Sequence, residues 1–203
     1  MFIGKWNKSV ILTYVGLACS ILGMFLSMQC KENLKYAFIC LMVAGICDMF
    51  DGFVARKCKR TEEEKAFGLQ LDSLVDVVSF LIFPIVLLMT IGLNKWYHLI
   101  GFILFAICGV ARLGYFNICG DPEKPVNYYS GVPVTFVAII LPLVNLFKLC
   151  FELDLLIKIL FITVVSTAIL FILNVKIKKP KGLAYVFFSL LAVVMIAVYA
   201  LFM

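Results

Sequence analysis

Charge is scarce in this chain. Only 15% of its 203 residues are Asp, Glu, Lys or Arg, against about a quarter in soluble globular domains. Hydrophobic residues make up 64% and mean hydropathy is +1.09. That balance excludes an ordinary soluble domain and points to an integral membrane protein. Histidine is nearly absent, with His98 alone, and no CxxC pair occurs, so a thiol or zinc centre has no ligand set. Cys19, Cys40, Cys47 and Cys108 fall inside apolar runs and read as small buried side chains. The formal net charge is +6, but the basic residues cluster at the ends of apolar runs. Membrane topology explains that placement and a nucleic-acid surface does not. Long polar linkers, internal repeats and low-complexity tracts are missing too, so one integral-membrane domain over 1–203 is expected. The first apolar run is full-length and lacks a small-residue cleavage site, so no removable leader is expected.

Long hydrophobic runs are what the chain does have. A spanning helix needs about 20 mostly apolar residues. Seven stretches approach that length: 9–28, 34–56, 68–91, 96–118, 132–149, 155–175 and 183–203. The fifth is the shortest and holds Pro133 and Pro142. Gly131 and Pro133 read as the start or a kink of that helix. The expected fold is all-α: a polytopic transmembrane helical bundle of about six core helices plus one or two C-terminal helices. With the N-terminus inside, thirteen lysines and arginines fall on one side, among them Arg56, Lys57, Lys59, Arg60, Arg112 and Lys176. The other side holds only Lys31, Lys35, Lys95 and Lys148. The richer side faces the cytoplasm. Lys176, Lys178, Lys179 and Lys181 read as part of that determinant. Trp6, Trp96, Tyr97 and His98 read as interfacial residues.

The exception to the greasy pattern lies between Asp48 and Asp76. Four aspartates, Asp48, Asp51, Asp72 and Asp76, lie in or beside segments apolar enough to cross a bilayer. Each charge at mid-membrane costs roughly 2.5–3.5 kcal/mol, so four carboxylates call for a cationic partner. At 100° per residue Asp48, Asp51, Gly52 and Ala55 share one helical stripe, and Gly68, Asp72 and Asp76 share another. Arg56 stands about 12 Å along the helix from Asp48. Four acids against one arginine leave surplus negative charge, which hard divalent ions suit: Mg²⁺ and Mn²⁺ take carboxylate and phosphate oxygens. Two ions there would stabilise the attacking and leaving oxygens of a displacement at phosphorus. Gly52, Ala55 and Gly68 would let a nucleotide or diphosphate approach the backbone, and Arg56 would pair with a phosphate. Taken singly, such glycines are more often helix-packing residues. Glu62, Glu63 and Glu64 read as a solvated loop.

The pattern Asp48-x2-Asp51-Gly52-x2-Ala55-Arg56 … Gly68-x3-Asp72-x3-Asp76 resembles the signature of the CDP-alcohol phosphotransferase (CDP-alcohol phosphatidyltransferase) family. All eight motif positions are present. Eleven residues separate Arg56 from Gly68, a longer spacing than is usual, with the excess in KRTEEEK. Further stretches, LDSLVDVVSF after Gly68, RLGYFN at 112–117, GVPVT at 131–135 and LNVKIKKP at 173–180, are most similar to the family's bacterial and archaeal phosphatidylserine synthases. RLGYFN departs from the usual RLARFN at two positions.

The resemblance implies transfer of the phosphatidyl group from CDP-diacylglycerol to the hydroxyl of L-serine, giving phosphatidylserine and CMP. It implies that Asp48, Asp51, Asp72 and Asp76 hold two divalent cations, Mg²⁺ or Mn²⁺, and that Asp76 is the base taking the hydroxyl proton. It also implies that Gly52, Ala55, Arg56 and Gly68 line the CDP site and that the protein is a homodimer in a prokaryotic cell membrane. Arg112 and Asn117 are candidates to hold the acceptor or a lipid phosphate. A sister enzyme using glycerol 3-phosphate, inositol or inositol phosphate would show the same signature. A divalent-cation transporter would explain the four aspartates but not Gly52, Ala55 and Arg56.

Overall fold

The computed structural model describes residues 4, 7–119, 128–174, 176–178 and 183–202. Its helices are α1 (Ile11–Gln29), α2 (Leu34–Lys57), α3 (Glu62–Asp76), α4 (Phe83–Ile91), α5 (Trp96–Cys119), α6 (Val137–Asn145), α7 (Leu153–Ile172) and α8 (Leu183–Phe202). Five helical stretches are long and apolar enough to cross a membrane: Lys8–Gln29, Leu34–Lys57, Glu62–Ile91, Trp96–Ile118 and Leu153–Ile172. The chain is an integral membrane protein built as a helical bundle. The fifth expected stretch is shorter than the others. Its helical part runs over Val134–Leu149, and Pro142 sits inside α6, where it cannot donate the usual backbone bond. Two three-residue strands, β1 (Tyr128–Ser130) and β2 (Lys176–Lys178), pair antiparallel, tying the connector before α6 to the one after α7.

The core and the outer surface divide as a lipid-embedded bundle requires. Phe38, Leu41, Phe80, Phe83 and Leu87 are at most 1% exposed, whereas Ile11, Phe25, Ile107 and Ile162 stand outward. On a soluble protein such outward side chains would form an adhesive patch; here they meet acyl chains. Helix α1 lies along α2, and α5 lies along α7. The α1 face turned inward is made of small residues, Thr13, Gly16, Ser20, Gly23 and Ser27. A Cβ on Gly23 would come within 2.8 Å of the Cys40 Cβ and run into the Phe83 ring. Small side chains are what let these backbones approach.

Two expectations are corrected. Glu62, Glu63 and Glu64 are not a loop but the first turn of α3. Thr61 caps that turn: its hydroxyl accepts from the Glu64 N–H at 3.3 Å, and its own N–H donates to Glu64 Oε2 at 2.8 Å. Reciprocal capping satisfies donors that a helix start otherwise leaves open, and the acids sit favourably at the positive end of the helix dipole. His98 is not interfacial but 1% exposed. Its Nδ1 accepts from the Lys95 N–H at 3.2 Å, and its ring packs on Phe161. Trp96, by contrast, is 84% exposed. Trp6 lies outside the described residues.

Candidate active site

The two aspartate-bearing helices converge. Asp48 and Asp51 come from the C-terminal half of α2, and Asp72 and Asp76 come from α3. One carboxylate oxygen from each of Asp48, Asp72 and Asp76 lies within 4.8 Å of the others. Oxygens bound to one octahedral Mg²⁺ at about 2.1 Å lie about 3.0 Å apart when adjacent and about 4.2 Å apart when opposite, so the trio would draw together to close on an ion. The carboxyl groups of Asp48 and Asp76 face each other at hydrogen-bonding range, as do those of Asp51 and Asp72. Asp51 stands a little apart from the trio. Its Oδ2 accepts a hydrogen bond from the Thr13 hydroxyl of α1 at 3.1 Å.

A cavity of about 290 Å³ opens beside this group. Asp48, Asp51 and Asp72 line it with Gly52 and Arg56. Much of the remaining lining is apolar, including Met42, Ile46, Ile139, Phe136 and Phe188. The last two rings touch at a centroid distance of 5.3 Å, so α8 closes the side that α2 leaves open. Asp76 lies deeper, 8% exposed, in a small recess shared with Thr13, Asp48, Asp51 and Ser79.

The glycines separate into two kinds. A Cβ on Gly45 would lie 2.7 Å from the Ala138 Cβ, which marks helix packing. A Cβ on Gly52 would meet only Arg56 Nη1 at 3.6 Å, and one on Gly68 would meet only Arg60 and Val10 near 4 Å. These two glycines therefore do not serve close helix approach. At Gly52 the space belongs to the cavity. Neither Gly68 nor Ala55 lines it; Gly68 lies beneath the loop carrying Arg60, which Asn7 reaches through a bond to the Lys59 carbonyl. The donor set fits a hard divalent ion: carboxylate oxygens alone, converging from two helices, beside a cavity with one guanidinium in its lining.

Asp76 is presented by a local irregularity. Immediately after it the helix widens into a π turn over Val77–Ile82 before α4 resumes. Pro84, at the start of α4, lacks the N–H that would bond the carbonyl four residues back, and its ring needs room. A widened turn supplies that room and is a frequent feature of functional sites. Ser79 in the turn accepts from the Ser20 hydroxyl of α1 at 2.8 Å. Thr13, Ser20, Ser79 and the aromatic wall were not among the expected site residues. Hydroxyls at helical spacing on the buried face of α1 were the only signal, and one helix alone does not say what they face.

The candidates on α5 lie apart from the acid cavity. Arg112 is 7% exposed and lines a second cavity with Tyr115, Phe171 and Asn174; its guanidinium sits 5.5 Å from the Phe116 ring centre. Asn117 turns to α3 instead, exchanging hydrogen bonds of 2.9 and 3.1 Å with Ser73. The turn at Gly131, where φ is +77°, backs onto the Phe171 and Leu173 end of the second cavity. A Cβ there would lie 2.6 Å from the Phe171 carbonyl oxygen, so the position has no place for a side chain.

Comparison with known proteins agrees with this geometry. The profile of the CDP-alcohol phosphatidyltransferase family matches residues 6–203. The chain is 32% identical over 108 residues to the archaetidylserine synthase of Methanothermobacter thermautotrophicus, covering 53% of this chain and 45% of that one. It is 35% identical over 105 residues to the CDP-diacylglycerol–serine O-phosphatidyltransferase of Methanocaldococcus jannaschii, 52% and 48% of the two chains. The enzyme of the same name from Bacillus subtilis is 27% identical over 116 residues, 56% and 62% of the two. The chain spans about half the length of the curated relatives it matches.

Proposed function

The chain belongs to the CDP-alcohol phosphatidyltransferase family, and from that premise we propose that it transfers a phosphatidyl group from CDP-diacylglycerol to the hydroxyl of L-serine, giving phosphatidylserine and CMP. The observation that carries this reading is the cavity itself. Carboxylates from two spanning helices and apolar side chains line it together, as an amphiphile with a diphosphate head requires. The relatives' names, which specify serine as acceptor, support the choice of alcohol.

Asp48, Asp51, Asp72 and Asp76 would hold two divalent cations, Mg²⁺ or Mn²⁺. Bound there, such ions neutralise the diphosphate and make CMP a better leaving group. Arg56, in the same lining, pairs with a phosphate oxygen. Gly52 leaves the backbone of α2 open to the nucleotide; Ala55 and Gly68 act at the edge of that site. The serine hydroxyl attacks the lipid-linked phosphorus, its proton passes to Asp76, and the bond to the CMP oxygen breaks. Arg112, in the second cavity, holds the serine carboxylate. The wall of α2, α6 and α8 leaves the acyl chains on the bilayer side. The protein acts as one domain and as a homodimer, with the site facing the cytoplasm of a prokaryotic cell; the excess of basic residues at that end of the bundle supports the orientation.

The test incubates purified protein with Mn²⁺ or Mg²⁺, CDP-diacylglycerol and each alcohol in turn. CMP release with serine is the expected result. Release with glycerol 3-phosphate, inositol or inositol phosphate but not serine overturns the acceptor, and no release with any alcohol overturns the reaction.

A further inference from the structure

We infer that Thr13, on a helix carrying none of the signature residues, is a positioning residue that fixes Asp51 so that it offers a single oxygen to the metal. The inference rests on the metal reading above and adds a residue to it. Thr13 is 7% exposed and Asp51 9%, so water does not compete for either group. The Thr13 hydroxyl has one hydrogen, and it goes to Asp51 Oδ2 at 3.1 Å.

Ser20 and Ser73 also reach neighbouring helices, but the partner of Thr13 is a carboxylate. A hydroxyl in an apolar helix ordinarily bonds a carbonyl of its own previous turn. Thr90, Thr163 and Thr167 all do so, at 2.7–3.0 Å, and Ser27 likewise bonds Met24. Thr13 instead reaches across to α2. The contact spans 38 positions in sequence, so it exists only because α1 lies along α2, an approach that Gly16 permits three residues later: a Cβ there would sit 3.3 Å from the Cys47 Cβ.

The consequence for Asp51 is geometric. With Oδ2 held by Thr13, the carboxylate cannot rotate freely, and Oδ1 is the oxygen left outside that bond. This accounts for Asp51 standing outside the trio of Asp48, Asp72 and Asp76 while still lining the cavity. Outer partners that orient a ligand are worth about 10–100-fold in metal affinity. Losing the hydroxyl should therefore weaken metal binding without emptying the site.

The experiment measures Mn²⁺ binding to the full-length protein in detergent, by the paramagnetic resonance of free Mn²⁺, together with melting in the absence of metal. Thr13→Val keeps the branched shape and removes the donor; its Mn²⁺ affinity should fall about tenfold or more, with metal-free melting near that of the parent. Thr13→Ser should restore binding to within about threefold, because it returns the donor. Ser27→Ala, a buried hydroxyl on the same face that bonds only its own helix, should bind like the parent. Should Thr13→Val fail to fold, Thr13→Ala takes its place in the same comparison. Parent-like Mn²⁺ binding by the donor-less variant overturns the inference, as does a Thr13→Ser protein as weak as Thr13→Val. If the parent itself takes up no Mn²⁺, the metal reading falls and this inference with it; uptake by parent and Thr13→Val alike sinks only the role of Thr13.

Discussion

Two cavities of this bundle are built in different ways. The acid cavity draws its charged groups from two consecutive helices joined by a short connector, residues 58–61. The cavity around Arg112 is assembled from α5 and the end of α7, segments far apart in the chain. Helical periodicity aligns Asp48 with Asp51 and Asp72 with Asp76 whatever the rest of the chain does. Nothing local aligns Arg112 with Asn174. The acid cluster is thus written into adjacent helices, while the Arg112 cavity depends on how distant helices dock.

The comparison breaks most sharply at Asp76. On the proposed mechanism Asp76→Asn removes a base and a metal ligand together, so CMP release should fall by more than about 10²-fold. Near-normal turnover at saturating metal would eliminate Asp76 as the base.

Gly131 and Gly52 test the two kinds of glycine. Gly131→Ala puts a Cβ against the Phe171 carbonyl at a φ of +77°, and should cost about 1–3 kcal/mol of stability from backbone strain alone. Gly52→Ala, which meets only Arg56, should melt like the parent and raise the KM for CDP-diacylglycerol instead. Equal melting of the two variants would erase the distinction between packing and cavity glycines.

Arg112→Lys keeps the charge and loses the planar fork that grips a carboxylate through two parallel bonds. The KM for serine should rise about tenfold, with the KM for CDP-diacylglycerol unmoved. A rise confined to the lipid substrate would reassign Arg112 to a lipid phosphate.

The smallest effect belongs to the seam joining the two sides. Ser73→Ala removes the partner of Asn117 and should cost about 1 kcal/mol in thermal or denaturant unfolding, with Mn²⁺ binding unchanged. A loss of metal affinity there would show that α5 steadies the acid helices directly.

Legibility follows the same division. The spans are readable because an apolar run of bilayer length has few alternatives, and the acid stripes are readable because charges stand out against them. The three glutamates after Thr61 mislead, since a charged run reads as loop unless the Thr61–Glu64 capping pair is noticed. His98 misleads because aromatic neighbours suggest an interface, whereas Phe161, on a different helix, covers it. Arg112 and Asn117 look like a pair because one motif holds both. They point to different faces of α5, one to a cavity and one to Ser73.

The order of residues by itself determined a membrane bundle, its spans, and two acid-bearing stripes facing some cation. Those properties come from hydropathy and helical pitch, which act over a few turns and need no partner. Tertiary structure alone decided that Thr13 would bind Asp51 and that the Phe136 and Phe188 rings would meet at the cavity. Each depends on how closely two backbones approach, and that distance is set by packing between helices.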